Sequence, residues 1–304
     1  MGLEICAVGG YNEVGKNCTA IKVDEEVVLI DLGIHLENYI KVTEGEDAQG
    51  IQSKDLAKAE AIPDLNLIKD WKDKVKAIII GHGHLDHCGA VPFLAKQFPD
   101  APIISSPYTL EIIKTMLHDE RLRLPNPLKA VNLNSSFKIS DKITAEFVYI
   151  THSIPQPYLV AIHTSHGTIM YANDFKLDAF PTMGQKTNYA RLEELGKEGI
   201  NALILDSLYA GTPMKTPSES TAKQMLRDVL MGSDMSKGVI IITTFSSHIA
   251  RLKAIIEMGR MLKRRIVFMG RSLSRYVLAA NRVDLIDLPN DILLVKEREM
   301  MHKM

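Results

Sequence analysis

The sequence predicts an α/β protein in two parts, with a boundary near residue 207. Three observations carry this. The first third is made of short apolar runs separated by turns, and residues 75–80 (VKAIII) form a β-branched run typical of a strand buried on both faces. Beyond residue 207, strand and helix patterns alternate, which implies a parallel sheet. At about 150 residues per domain, a chain of 304 residues accommodates both parts.

In chain order, strands are expected over 3–8, 18–23 and 27–31, with Asp24-Glu25-Glu26 turning a hairpin between the last two. Residues 38–74 are polar and weakly patterned, an insertion with some helical character. After the strand at 75–80 comes a glycine- and histidine-rich turn, then a helical pattern over 90–97, a strand at 102–105 and a helix at 108–118. Strands return at 130–133, 143–150, 158–163 and 168–171. A helix over 189–197 leads into 202–206, read as a buried strand ending in an acid. Thr216-Pro217-Ser218-Glu219 opens the next helix, with Thr216 as N-cap, proline at the first helical position and Glu219 closing a capping box. Strand 239–244, helix 249–262, strand 266–269 and helix 273–280 follow.

Composition narrows the class. With 46% hydrophobic and 24% charged residues, the chain matches an ordinary globular protein. No apolar run approaches the ~20 residues of a membrane helix, and no basic stretch followed by an apolar core marks a secretory signal. Gly2 raises N-myristoylation, but Cys6 stands where that motif wants serine or threonine. Three cysteines, odd and sparse, argue for a reducing cytoplasm, with Cys6, Cys18 and Cys88 read as core. Net charge is −1, but residues 251–282 carry nine basic side chains and one acid, Glu257, for a local +8. That field beside an acidic remainder points to a polyanionic partner; solvated helix faces are the alternative.

Chemistry concentrates in Gly81-His82-Gly83-His84-Leu85-Asp86-His87. In extended backbone, residues two apart point the same way, so His82 and His84 can converge on one ion. As the chain turns toward the following helix, Asp86 and His87 are presented differently and can hold a second. Four ligand-type residues within six positions are hard to explain as packing. His152 and Asp174 each follow an expected strand, and that repeated strand-end position favours ligation over capping. His163 and His166 flank a hairpin turn and read as surface residues, as do His35, His118 and His302.

His82-x-His84-x-Asp86-His87, with Asp31, His152 and Asp174, resembles the metallo-β-lactamase fold motifs in family order. Ala7-Val8-Gly9-Gly10-Tyr11-Asn12-Glu13-Val14-Gly15-Lys16-Asn17 and Leu29-Ile30-Asp31-Leu32-Gly33 resemble the opening of the ribonuclease J branch, particularly its archaeal members. Asp206-Ser207, Lys215-Thr216-Pro217-Ser218-Glu219 and Phe245-Ser246-Ser247-His248-Ile249-Ala250-Arg251 resemble the β-CASP insertion of nucleic-acid-processing members. The resemblance covers essentially the whole chain. It implies an αββα sandwich over 1–207 and a partial β-CASP domain with a parallel βα sheet over 208–304. The family pattern continues past Met304, with a His-x-Ser-Gly-His segment and one further metal-binding histidine. On this reading the chain is truncated at its C-terminus, the first domain is incomplete, and the second metal site lacks a ligand. His248 stands where relatives usually carry asparagine.

By resemblance, His82, His84 and His152 bind one zinc, Asp86 and His87 bind the other, and Asp174 bridges them. Mn²⁺ is the second choice for such a donor set. Two ions sharing a water lower its pKa toward ~7 and stabilise in-line attack on phosphorus. Asp31 is expected to orient a ligand or the shared water, unless it is only a strand-end turn residue. Asp206 matches the acid that opens the β-CASP region and would support the site by hydrogen bonding. Asp31, Asp86, Asp174 and Asp206 are thus the catalytic candidates. For RNA binding the candidates are Ser246, Ser247, His248, Arg271 and Ser272. The turn at Gly270-Arg271-Ser272 sits between a strand and a helix, where backbone N–H groups and arginine meet phosphate. Few aromatics lie nearby (Phe245, Phe268, Tyr276), so backbone recognition is expected rather than base recognition.

The implied activity is a cytoplasmic zinc-dependent ribonuclease in RNA processing and decay, 5′-to-3′ exonucleolytic with endonuclease action. RNA is the implied partner, a membrane is not, and a homodimer is compatible. Two alternatives compete. One is a small-molecule metallo-hydrolase acting on a thioester, lactone or β-lactam, against which the chain beyond Asp206 and its +8 segment argue. The other is a non-catalytic RNA-binding chain, against which the six intact visible ligands argue and for which the missing C-terminal part argues.

Overall fold

The computed structural model describes residues 2–43, 51–234 and 237–295; His302 and residues 44–50 of the polar insertion lie outside them. The chain forms two units. The first comprises Met1–Tyr149, Gln156–Asp174 and Asn188–Gly211, and the second Ile150–Pro155, Phe175–Thr187 and Thr212–Met304.

Two sheets make the first unit. One has six strands in sequential order: β1 (Leu3–Gly9), β2 (Cys18–Val23), β3 (Glu26–Ile30), β4 (Val75–Ile79), β5 (Ile103–Ser105) and β6 (Leu128–Ala130). Its first three strands are antiparallel and the rest parallel. The other has the order β11-β10-β9-β8-β7, from β7 (Ser135–Lys138), β8 (Thr144–Tyr149), β9 (Tyr158–Thr164), β10 (Gly167–Ala172) and β11 (Ala202–Leu205). Only β10 and β11 are parallel there.

The inner faces share one core. Ile21, Val28, Ile30, Ala77, Ile79 and Ile104 meet Ala145, Phe147, Tyr158, Val160, Ile162 and Ile169. Leu29 and Ile78, at the alternating positions, are also fully buried, so β3 and β4 are covered on both faces. That explains their continuous apolar sequence, and each such burial stabilises by about 1.5–3 kcal/mol. Tyr158 brings a hydroxyl into this core and donates it to the Ile80 carbonyl at 3.0 Å.

Short helices α1 (Leu36–Thr43), α2 (Ser53–Lys58), α3 (Leu85–Cys88) and α4 (Val91–Leu94) join these strands, with 3₁₀ turns at Leu65–Lys74 and Ala95–Gln97. Ser106 caps α5 (Pro107–Asp119), its hydroxyl accepting from Thr109 N. Asn188 does the same for α6 (Tyr189–Glu198). The second unit holds α7 (Glu219–Gly232), α8 (Ile249–Met261) and α9 (Arg271–Arg282), the last joining the parallel pair β12 (Val267–Met269) and β13 (Leu293–Val295). Among the described residues, no helix is long and apolar enough to cross a membrane.

Several expectations are corrected. The strand at 130–133 lies earlier, at β6, and β7 was not foreseen; a sheet-edge strand reading Ser-Ser-Phe-Lys has one apolar residue, too few for a pattern. Strand β11 is half exposed rather than buried. It ends its sheet, so Ala202 and Ile204 pack on the core while Leu203 is 59% and Leu205 52% accessible. Helix α7 starts at Glu219 with Ser218 as its N-cap, because the Glu219 carboxylate turns to Arg251 and His248 instead of closing a box on Thr216. Residues 239–244 form no strand. Val239 and Ile241 lie open to solvent there, and among the described residues no neighbouring strand pairs with the run. Cys18 and Cys88 are buried as expected, but Cys6 on edge strand β1 is only half-buried.

Candidate metal centre

Strands β3 and β4 run parallel, so their C-terminal ends place Asp31 beside the loop that begins at Ile80. Asp31 is fully buried, with φ of 65°, a left-handed conformation that aspartate tolerates better than most residues. Its carboxylate collects three donors. Oδ1 accepts from Gly81 N at 2.8 Å, and Oδ2 accepts from His87 Nδ1 at 2.7 Å and from the Tyr171 hydroxyl at 2.9 Å. Burial, reinforced by the charge of Asp31, pushes the Tyr171 hydroxyl well above its ordinary pKa, so it stays a donor.

From this anchor the ligand-type side chains spread outward. His82 Nε2 and His84 Nδ1 stand 3.0 Å apart, and with Asp174 they offer ligand atoms all within 4.8 Å of one another. Asp86, His87 and Asp174 form a second such group by the same measure. His87 Nε2 lies 3.4 Å from Asp86 Oδ2 and 3.6 Å from Asp174 Oδ2. His82 and His87 are buried, while His84, Asp86 and Asp174 are half-buried. Asp174 follows the end of β10. His152 stands three residues beyond the end of β8, in the segment grouped with the second unit.

Electrostatics favour a cation here. Burial alone would raise the Asp86 pKa, but the His87 charge and hydrogen bond outweigh it and hold the carboxyl below the usual range. Burial alone would lower the His87 pKa, but the charges of Asp86 and Asp31, with hydrogen bonds to Asp174 and Asp31, carry it well above its ordinary value. Three carboxylates around one imidazole call for positive charge. The donors are imidazole nitrogen and carboxylate oxygen, which suit a divalent transition ion. Beside them Asn173 is 4% accessible, and neither of its amide atoms has a hydrogen-bond partner. The residues therefore fit a metal.

Close approach dictates two glycines. A Cβ on Gly33 would sit 1.5 Å from the Asp86 carbonyl oxygen, and one on Gly81 would sit 1.9 Å from Asn173 Nδ2. The centre opens into a cavity of about 390 Å³ lined by residues that include Tyr11, Asn17, Asp86, His87, Asp174 and Asp206. Asp206 is exposed, and its Oδ1 accepts from Leu208 N at 2.9 Å.

Of the RNA-binding candidates, Ser247 and His248 are buried in the second unit, and His248 Nε2 lies 3.1 Å from Glu219 Oε2. Arg251 grips the same carboxylate through Nε at 3.0 Å and Nη2 at 2.7 Å. Ser246 is half-buried. Arg271 and Ser272 are exposed at the start of α9, after Gly270 with φ of 120°. Sequence reasoning gave no role to Tyr171 or Asn173, nor to Asn17 although it closes the first motif; a tyrosine in a strand and an asparagine in or beside a motif carry no signal of their own.

The metallo-beta-lactamase superfamily profile matches residues 11–178, and the ribonuclease J beta-CASP domain profile matches residues 237–304. Ribonuclease J of Methanocaldococcus jannaschii is 41% identical over 293 residues, which cover 96% of this chain and 65% of the relative. Ribonuclease J of Pyrococcus abyssi is 43% identical over 287 residues, covering 94% of this chain and 63% of the relative. The chain thus spans just under two thirds of the length of these relatives. A crystal structure of a protein of unknown function from Enterococcus faecalis V583 matches in fold, with a TM-score of 0.64 at 14% identity, over 99% of this chain and 75% of that one. The paired sheets, the ligand cluster at the strand ends and a profile match over more than half its length lead to one conclusion: the chain belongs to the metallo-beta-lactamase superfamily.

Proposed function

We propose that this chain carries the metal centre of a ribonuclease that hydrolyses RNA phosphodiester bonds in RNA processing and decay. Cleavage is 5′-to-3′ exonucleolytic, with endonuclease action as well. The carrying observation is the Asp31–His87 pair, which turns His87 Nε2 toward Asp86 and Asp174. The names of the relatives, ribonuclease J in each case, support RNA as the substrate.

The ions would be zinc, with manganese as the alternative: His82, His84 and His152 would hold one, Asp86 and His87 the other, and Asp174 would serve both. When bound, such a pair supplies Lewis acidity and a nucleophilic water at neutral pH. The chain's own residues do the rest. Asp31 orients the His87 ring and turns Nε2 toward Asp86 and Asp174. Tyr171 and Gly81 hold Asp31 in turn. Asp206 supports the cavity edge. Residues 1–207 form the metallo-β-lactamase domain and 208–304 the β-CASP domain, where Ser246, Ser247, His248, Arg271 and Ser272 serve RNA. Three free cysteines favour a reducing cytoplasm.

The test is degradation of a 5′-monophosphorylated RNA by the purified chain and its Asp174→Ala and His84→Ala variants, with and without chelator. Loss of activity in both variants and with chelator is expected. Degradation that survives both substitutions overturns the proposal.

A further inference from the structure

Asn17 lies outside the ligand set, yet it makes four contacts with the turn that carries Asp86 and His87 and with the segment that follows β3. Its backbone N donates to the Asp86 carbonyl at 3.0 Å, and its backbone carbonyl accepts from Gly33 N at 3.0 Å. Its side-chain Nδ2 donates to the same Asp86 carbonyl at 3.1 Å and lies 3.2 Å from His87 Nε2. Both lone pairs of that carbonyl are thus used by one residue.

The amide can face only one way. With Oδ1 toward Asp86, two acceptors would oppose each other, so the NH₂ end points into the turn. Oδ1 then lies toward Gly10, where an added Cβ would be 2.3 Å from it. On the other side of the ring, His87 Nδ1 meets the Asp31 carboxylate, which can only accept. Nδ1 therefore carries hydrogen, and on the opposite edge of the ring Asn17 Nδ2 stands 3.2 Å from Nε2. The neighbouring ladder is equally fixed: Leu32 N donates to the His87 carbonyl at 2.9 Å and Ile34 N to the Leu85 carbonyl at 3.0 Å.

We infer that Asn17 is the positioning residue of the Asp86–His87–Asp174 half of the metal centre: its backbone N–H and its carboxamide together lock the carbonyl of the turn that presents Asp86 and His87. Asp31 fixes the Nδ1 edge of the imidazole, and Asn17 fixes the turn that carries it. This inference rests on the proposed metal-binding role of those three residues. Partners that orient ligands typically contribute about 10- to 100-fold in metal affinity.

The experiment is a calorimetric titration of the full chain with Zn²⁺, and separately with Mn²⁺, backed by elemental analysis of ions retained. His84→Ala and Asp86→Ala each remove one binding event and so assign the two. Asn17→Ala keeps both backbone bonds, so the fold has no reason to change, and the event removed by His84→Ala serves as an internal check. The expected result is about 10- to 100-fold weaker binding in the Asp86 event only, with faster amide exchange across residues 85–88. Wild-type affinity in both events overturns the inference. Equal weakening of both overturns it too, making Asn17 a general structural residue. A wild-type chain that shows no Asp86-dependent event overturns the metal reading itself, a result distinct from either.

Discussion

Asp31 and His87 are 56 positions apart in the chain, yet their Oδ2 and Nδ1 atoms lie 2.7 Å from each other in a fully buried pair. The pair exists because β3 and β4 are parallel neighbours whose ends meet. Its geometry decides which nitrogen of His87 faces the cavity.

Replacing Asp31 tests that role. Asp31→Asn keeps the shape but removes the charge, and metal affinity should fall by about 10- to 100-fold. Asp31→Ala strands the Gly81 N–H, the Tyr171 hydroxyl and His87 Nδ1 in a buried site, and should cost about 3–5 kcal/mol of unfolding free energy. Metal titration and urea denaturation measure the two effects. Wild-type affinity in Asp31→Asn would remove Asp31 from the centre.

Gly81 tests the packing beneath the centre. In Gly81→Ala the new methyl would meet Asn173 Nδ2 at 1.9 Å, so Asn173 or the loop must shift. Overpacking of this kind costs about 1–3 kcal/mol, and His82, the next residue, should lose alignment. A Gly81→Ala protein as stable as wild type, with wild-type zinc content by elemental analysis, would show that the loop yields freely.

Acid should loosen the second unit through Glu219. Burial raises its pKa, but hydrogen bonds from His248 and Arg251 outweigh that and bring it from 4.5 down to about 2. A depressed carboxyl contributes stability that is present above about pH 4.5 and is lost as pH falls toward 2. At 1.36 kcal/mol per unit the contribution is at most about 3 kcal/mol. Denaturation of wild type and Glu219→Gln at pH 6 and pH 3 isolates it. Their stability difference should shrink at pH 3, and a constant difference would mean that Glu219 carries no such linkage.

Salt should report on the basic segment. If residues 251–282 meet phosphates, RNA affinity falls linearly on a log–log salt plot, by roughly one unit of slope per contact. Lys263 and Arg265 are the better pair to replace. Arg251 is engaged with Glu219, and Arg264 donates to the Gly238 carbonyl at 3.1 Å. Filter-binding between low and high salt should show a flatter slope for the double variant; an unchanged slope would return both to solvated helix faces.

What the sequence determined by itself was local. His82, His84, Asp86 and His87 fall within six positions, so their convergence follows from a strand end and one turn, whatever the rest of the chain does. The central strands of the first unit are equally legible, because burial on one or both faces writes an alternating or continuous apolar pattern into each. Tertiary structure decided whatever depends on a neighbour. Strand β7 was invisible because a sheet edge asks little of its side chains, and residues 239–244 carry a strand pattern that finds no ladder. Glu219, spaced for a capping box, turns to Arg251 and His248 because a charged, buried pairing outweighs a solvent-exposed cap. Asp31 and Asn17 acquire their positions on His87 only once distant segments close around the turn, since hydrogen bonds of about 3 Å come from chain topology and leave no periodicity in the sequence.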